Sequence, residues 1–391
     1  MIIKRLWGGN MWKHLLLYLY LSLSLCVISA NGHASAMGEN EEELTEDAQL
    51  AKTRTILAID GGGVRGIIPA ELLSNIERKL SHPLSRYFDV MSGTSTGAII
   101  ALGLNVPADP EAEVLRPVYT AQDIVHFYEK FSPVIFSAET AHPYESVWGW
   151  AGPYYSTQGI EKAAEAFYGD TLLDETLTNV VVPGFDIERY RPIYFCSHRA
   201  ALHDHDNFYM RDVAIAACSA PTYFTPKRLF SLDGSRYSVI DGGIVANNPG
   251  LIAYAQAHTI FTESPPTHLL VSLGTGQVIK TLKHRDMAKK GKIGWAQEVI
   301  SLMLKSELKL VDDELRMLLP ERIGQLGIQK QYYRLQGVIE QKHERLDNSS
   351  FENLEALKHA ADRFSEDFKD DIEEIATKLE AIYEARYLTC D

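Results

Sequence analysis

Residues 87–104, YFDVMSGTSTGAIIALGL, place Ser95 between Gly93 and Gly97 where a short apolar run passes into a longer one. G-x-S-x-G between a strand and a helix is a nucleophile elbow. The turn lifts the hydroxyl clear of the sheet, and the free amides of the helix's first turn face the nucleophile. A serine hydroxyl attacks poorly until an adjacent base takes its proton. The segment YSVIDGGIVANNP, residues 237–249, supplies a carboxylate: an apolar run ends in Asp241, and Gly242 and Gly243 open the backbone behind it. A free aspartate is a poor base, with a reference pKa of about 3.9. Burial beside a serine raises that value and lets the carboxylate accept the proton directly. Ser95 and Asp241 are therefore expected to act as nucleophile and base in acyl transfer.

A third block, IDGGGVRGIIPA at 59–70, meets the letter of a dinucleotide fingerprint through Gly61, Gly63 and Gly66. Such a site wants an acidic residue about 20 positions on, at the end of a second strand. Glu77 falls inside the predicted helix at 70–80, and Asp89 opens the run that leads to Ser95. The amides of Gly61, Gly62 and Gly63 are expected instead to form an oxyanion hole, where losing one donor costs roughly 2.7–4 kcal/mol.

Short apolar runs alternate with helical stretches from Arg54 onward, the α/β pattern. Strands are predicted at 55–59, 87–91, 192–197, 237–241, 268–273 and 331–336, and the helix at 70–80 buries Leu72, Leu73, Ile76 and Leu80. Toward the C-terminus, Phe351, Leu354, Leu357, Phe364, Phe368, Ile372, Ile375 and Leu379 recur at helical spacing, with Ser349 and Glu352 as a capping box.

DGGGVRG (60–66), GTSTG (93–97) and DGG (241–243), together with ACSAPTYF (217–224) and ANNP (246–249), resemble the signature blocks of the patatin-like phospholipases. The resemblance runs from about Arg54 through most of the chain. It implies a three-layer α/β sandwich with a mostly parallel central sheet flanked by helices, plus C-terminal helices. It also implies a Ser95–Asp241 dyad, Gly61, Gly62 and Gly63 at the oxyanion, Arg65 supporting that loop, and no metal or organic cofactor. The implied activity is lipid acyl hydrolysis of the phospholipase A or lysophospholipase type, with a lipid or membrane-surface substrate. Two alternatives share parts of this pattern. A Ser-His-Asp esterase would need one of His258, His268, His284, His343 or His359, none of which sits in a glycine-flanked turn; a lipid-binding protein with an inactive site would need no intact dyad.

Lys4, Arg5 and Lys13, the apolar run 15–29 and the small residues Ala34 and Ala36 follow the order of a secretory signal peptide. The expected organisation is a signal peptide over 1–36, an acidic linker over 37–53, a catalytic domain over 54–340 and a C-terminal helical segment over 341–391. The expected location is outside the cell or in the periplasm. Cleavage would remove three positive charges from a 391-residue chain of net charge −14, leaving −17. That balance excludes nucleic-acid binding through the overall field. No later segment is long and apolar enough to span a bilayer.

Three further features carry weaker signals. HDHD at 203–206 is expected to be a solvated polar loop. HPYESVWGWAGPYYS at 142–156 is expected to pack over the core. Between 280 and 292, Lys280, Lys283, Arg285, Lys289, Lys290 and Lys292 precede an apolar helical run with Trp295, Ile300 and Leu304, which suits either a core helix or anionic head groups. Cys196, Cys218 and Cys390 make no disulfide framework.

Overall fold

The computed structural model describes residues 46–112, 114–137, 152–262, 267–324 and 327–387. A helix α1 (Glu46–Lys52) closes the acidic lead-in, and β1 (Arg54–Ile59) follows at once. Beyond it come α2 (Ile67–Glu77), β2 (Val90–Gly93), α3 (Thr96–Gly103), α4 (Ala121–Ile135), α5 (Gln158–Tyr168), β3 (Asn179–Asp186), β4 (Arg191–Cys196) and α6 (Met210–Ala217). The chain continues through β5 (Lys227–Phe230), β6 (Arg236–Asp241), α7 (Gly250–Ile260), β7 (His268–Leu273), α8 (Lys292–Leu318), β8 (Arg322–Gly324), β9 (Gly327–Gln329) and β10 (Tyr332–Leu335), and ends in α9 (Phe351–Asp367) and α10 (Lys369–Tyr387).

The main sheet runs β10-β7-β1-β2-β3-β6-β5, with β4 on the other edge of β3. β10, β7, β1, β2 and β3 are mutually parallel, and β4, β5 and β6 pair antiparallel. Alternation along the strands separates two cores. Leu57, Ile59, Met91, Val271 and Leu335 face one layer, with α2–α6, α9 and α10; Ile56, Ala58, Val90, Leu270 and Tyr332 face the other, with Ala253 and Ala257 of α7 and Val311 and Leu315 of α8. A parallel sheet covered on both faces buries its strands on both sides, as β7 is buried along its whole length. The fold is the expected three-layer α/β sandwich with C-terminal helices.

The edges of the predicted elements moved for local reasons. β2 begins at Val90 rather than Tyr87, because a 3-10 turn at Leu84–Arg86 delivers Tyr87 and Phe88 into the core. Asp89 then turns its carboxylate back onto the amide of Thr55 at 2.8 Å. Val180, Val181 and Val182 favour a strand, but Pro183-Gly184 in the middle of β3 reads as a break. Proline is tolerated there because that edge of β3 changes partner, pairing with β2 through Val181 and with β6 from Gly184. The cap of α9 lies one residue later than expected: Ser350 accepts the amide of Asn353. Phe351 thereby takes the first helical position and is exposed, while Leu354, Leu357 and Phe364 are buried.

Candidate active site

Ser95 occupies the turn between β2 and α3 with φ 53° and ψ −119°, a left-handed conformation rare for a residue with a Cβ. Holding it costs on the order of 1–3 kcal/mol. The turn closes tightly: a Cβ on Gly93 would collide with the carbonyl of Gly97, and one on Gly97 with the carbonyl of Ile59. Thr94 fastens the elbow on two sides, its amide to Ile59 O at 3.1 Å and its hydroxyl to Ala246 O at 2.6 Å.

Asp241 ends β6 opposite Gly184 of β3. Its amide donates to Ser219 O at 3.1 Å, and its Oδ1 accepts the amide of Gly243 at 2.7 Å. Gly242 packs directly on the Pro183 carbonyl, where a side chain has no room. Burial pushes the Asp241 carboxyl up to about 6, against the opposing pulls of the Gly243 amide and the Ser95 side chain. The two sequence-selected groups, 146 positions apart in the numbering, thus interact through their side chains. Cys218 is beside them: burial, then the Asp241 charge, holds its thiol well above the ordinary range, with the Ser95 side chain pulling the other way. In the sequence Cys218 stands out only through its place in ACSAPTYF, without a role at the site.

The glycine loop lies alongside. A Cβ on Gly61 would stand 3.4 Å from the Cβ of Ser95 and would strike the Asn247 side chain. The amide of Gly61 is itself spent on Asn247 O at 3.0 Å, and its carbonyl accepts Thr275 Oγ1 at 2.9 Å. Gly63 takes φ 59°, against the carbonyl of Leu346. The amides of Gly62, Gly63 and Thr96 donate no hydrogen bond among the described residues. Arg65 spans the loop, with Nε to Gly62 O at 3.3 Å and a terminal nitrogen to Gly276 O at 3.1 Å. Burial lowers its pKa to about 10.

Two supports escaped the sequence reading. Arg334 of β10 grips Asp60 with two parallel bonds of 2.9 and 2.5 Å and also reaches Ser272 Oγ at 2.8 Å. Glu307 of α8 accepts the amides of Asn247 and Asn248 at 3.1 and 3.2 Å, holding the ANNP turn whose Asn247 carbonyl receives Gly61. Burial, with a further push from Asp60, raises its carboxyl to about 7. Neither contact leaves a local signal, since each joins segments far apart in the chain.

The remaining candidates fall elsewhere. Among the described residues no hydrogen bond joins a histidine to Ser95; His258 and His268 pack ring to ring at 4.6 Å, and His343 bonds to Asn353 at 2.6 Å. Asp204–Asp206 form a 3-10 turn, with His203 and His205 stacked at 5.1 Å and exposed, as a solvated polar loop requires. No cluster of three metal-ligating side chains occurs among the described residues. Tyr155 is buried, donating to Asp347 at 3.0 Å, and Tyr154 is exposed. Tyr144, Trp148 and Trp150, like the 1–36 segment and Cys390, lie outside the described residues. Cys196 and Cys218 are free and buried. No helix among the described residues is long and apolar enough to cross a membrane.

Residues 57–254, which carry the elbow, the glycine loop and Asp241, match the family model described as patatin-like phospholipase. The chain is similar to patatin-like protein 4 of Arabidopsis thaliana, 32% identical over 79% of this chain and 82% of that protein. Patatin-like protein 2 of Oryza sativa subsp. indica is 31% identical over 79% of this chain and 83% of its own length. Patatin group J-1 of Solanum tuberosum is 28% identical with the same two shares. With the sandwich fold and the three motif blocks in this order, these matches show that the chain belongs to the patatin-like phospholipase family.

Proposed function

We propose that the protein is a lipid acyl hydrolase of the phospholipase A or lysophospholipase type, working through Ser95 and Asp241. The observation that carries this reading is a buried aspartate, raised to about 6, interacting with a serine held at φ 53° at the head of a helix. A carboxylate tuned toward neutrality is suited to general-base work. Ser95 Oγ attacks the ester carbonyl while its proton passes to Asp241. The carbonyl oxygen becomes an oxyanion facing the undonated amides of Gly62, Gly63 and Thr96, with Gly61 shaping the loop beside them. The tetrahedral intermediate expels the alcohol, which takes the proton from Asp241 and leaves an acyl-enzyme. Water, deprotonated by Asp241, then releases the fatty acid and restores the serine. No step requires a metal or an organic cofactor.

The test is hydrolysis of a nitrophenyl ester and of a defined phospholipid by wild type, Ser95→Ala and Asp241→Asn. Both variants are expected to lose activity while unfolding cooperatively like the wild type. Substantial turnover by folded Ser95→Ala refutes the assignment. The basic, apolar and small-residue order of residues 1–36 supports export and cleavage after Ala36. A mature N-terminus at Met37 is the expected result of sequencing the secreted product.

A further inference from the structure

Helix α8 is apolar on two opposite sides. One side, with Val311 and Leu315, is buried against the sheet. At 100° per residue, Trp295, Val299, Leu302, Met303, Leu310 and Met317 form a second stripe roughly opposite the first, interrupted by Ser306 and by Asp313, which is paired with Lys309. All six are exposed, from 37% for Trp295 to 72% for Met317. A soluble helix ordinarily turns charge to solvent on that side, and an exposed apolar stripe of this length marks a contact surface.

The stripe adjoins the site. Glu307, about a quarter turn around the helix from it, holds the amides of Asn247 and Asn248. Ile244, three residues past Asp241, is 59% exposed; Ile279, four residues past the Thr275 that binds Gly61, is 76% exposed. The approach to the helix is cationic. Lys283, Arg285 and Lys289 are exposed and make no ion pair among the described residues, in a chain of net charge −14.

We propose that this face is the lipid-docking surface of the enzyme: the α8 stripe, with Ile244 and Ile279, enters the interfacial layer of an anionic bilayer, and Lys283, Arg285 and Lys289 bind its head groups. The inference rests on the acyl-hydrolase reading for its purpose, since it brings the ester-bearing layer to the mouth beside Ser95. Charge selects an anionic lipid surface over a two-fold pairing through this face, in which Lys283, Arg285 and Lys289 would meet the same cations of the second copy. Apolar burial and head-group attraction act together in interfacial binding.

Binding is separable from hydrolysis in the full-length Ser95→Ala protein, assayed by flotation with phosphatidylcholine vesicles with and without phosphatidylglycerol. Binding is expected to strengthen with phosphatidylglycerol. Met303→Gln with Leu310→Gln should weaken it at least about tenfold. Lys283→Glu, Arg285→Glu and Lys289→Glu together should weaken it by about a hundredfold or more on the anionic vesicles, since each cation contributes roughly fivefold. With Ser95 present, the same variants should retain turnover of a soluble nitrophenyl ester but lose hydrolysis of vesicle phospholipid. Binding that ignores lipid charge and both variant sets overturns the proposal. So does a stripe variant that converts a dimer to a monomer without changing vesicle binding, which would assign the face to a second copy. Failure of the hydrolase reading looks different: no Ser95-dependent turnover of the soluble ester, whatever the vesicles show.

Discussion

Arg334 and Asp60, 274 positions apart, form a bidentate ion pair beneath the glycine loop, with the Arg334 side chain 6% exposed and that of Asp60 fully buried. Asp60 is the hinge between β1 and Gly61, so its anchoring fixes where the loop leaves the sheet. Removing one partner strands a buried charge, which costs about 3–5 kcal/mol. Arg334→Met is expected to lose that much stability in urea unfolding. Adding Asp60→Asn to it should recover part of the loss. A single variant as stable as wild type removes the pair from the fold's supports.

Asp241 gives the activity its pH dependence. With its carboxyl at about 6, the base form disappears as pH falls through 6, and kcat/KM on a soluble ester should drop about tenfold per unit below that point. Ser95 itself supplies no titration in this range. A flat profile from pH 7 to about 4.5 contradicts Asp241 as base.

The same group has the opposite sign for stability. Its folded pKa is raised above the unfolded value of 3.8, so the folded chain binds the proton more tightly. Stability from this group is fully present below about 3.8 and is lost as pH rises through about 6. At neutral pH the ionised carboxylate is therefore a cost, on the order of 3 kcal/mol. Asp241→Asn, whose Oδ1 still accepts the Gly243 amide, should be inactive yet more stable than wild type at pH 7, by denaturant titration. A destabilised variant contradicts the desolvation argument.

Strain at Ser95 predicts a similar trade. Its φ of 53° is one that glycine adopts freely, so Ser95→Gly should raise stability by about 1 kcal/mol or more while abolishing ester hydrolysis. Ser95→Ala keeps a Cβ in the same turn and should gain little. Equal stabilities for the two variants would show that the turn is not strained.

The histidine alternative has its own test. His258, His268, His284, His343 and His359 are each replaced by Gln and assayed on a soluble ester. Each folded variant should stay within about threefold of wild type, against the 10²–10⁴ that a general base contributes. His268 is buried, and burial first, then His258, lowers its pKa to about 4; loss of stability in that variant is a packing effect.

What was legible in the sequence was what is local. Gly93, Ser95 and Gly97 lie on one turn, and Asp241 ends a strand before two glycines, so type and spacing alone locate them. Contacts between distant segments were hidden. Nothing near Glu307 announces that it holds the ANNP turn, and nothing near Arg334 announces Asp60. Backbone bonds are hidden too: residue type alone makes Gly61, like Gly62 and Gly63, an oxyanion donor, but its amide goes to the Asn247 carbonyl, which no residue type reveals. β3 is obscured because Pro183-Gly184 imitates a turn, while its tolerance depends on a change of strand partner.

The most direct measurement of the central claim is covalent trapping. The wild-type protein is treated with a fluorophosphonate ester, digested and analysed by mass spectrometry. A single adduct on the peptide bearing Ser95 is expected, absent from Ser95→Ala and formed far more slowly in Asp241→Asn. An adduct on another residue, or labelling at the wild-type rate in Asp241→Asn, contradicts the pairing of this serine with this aspartate.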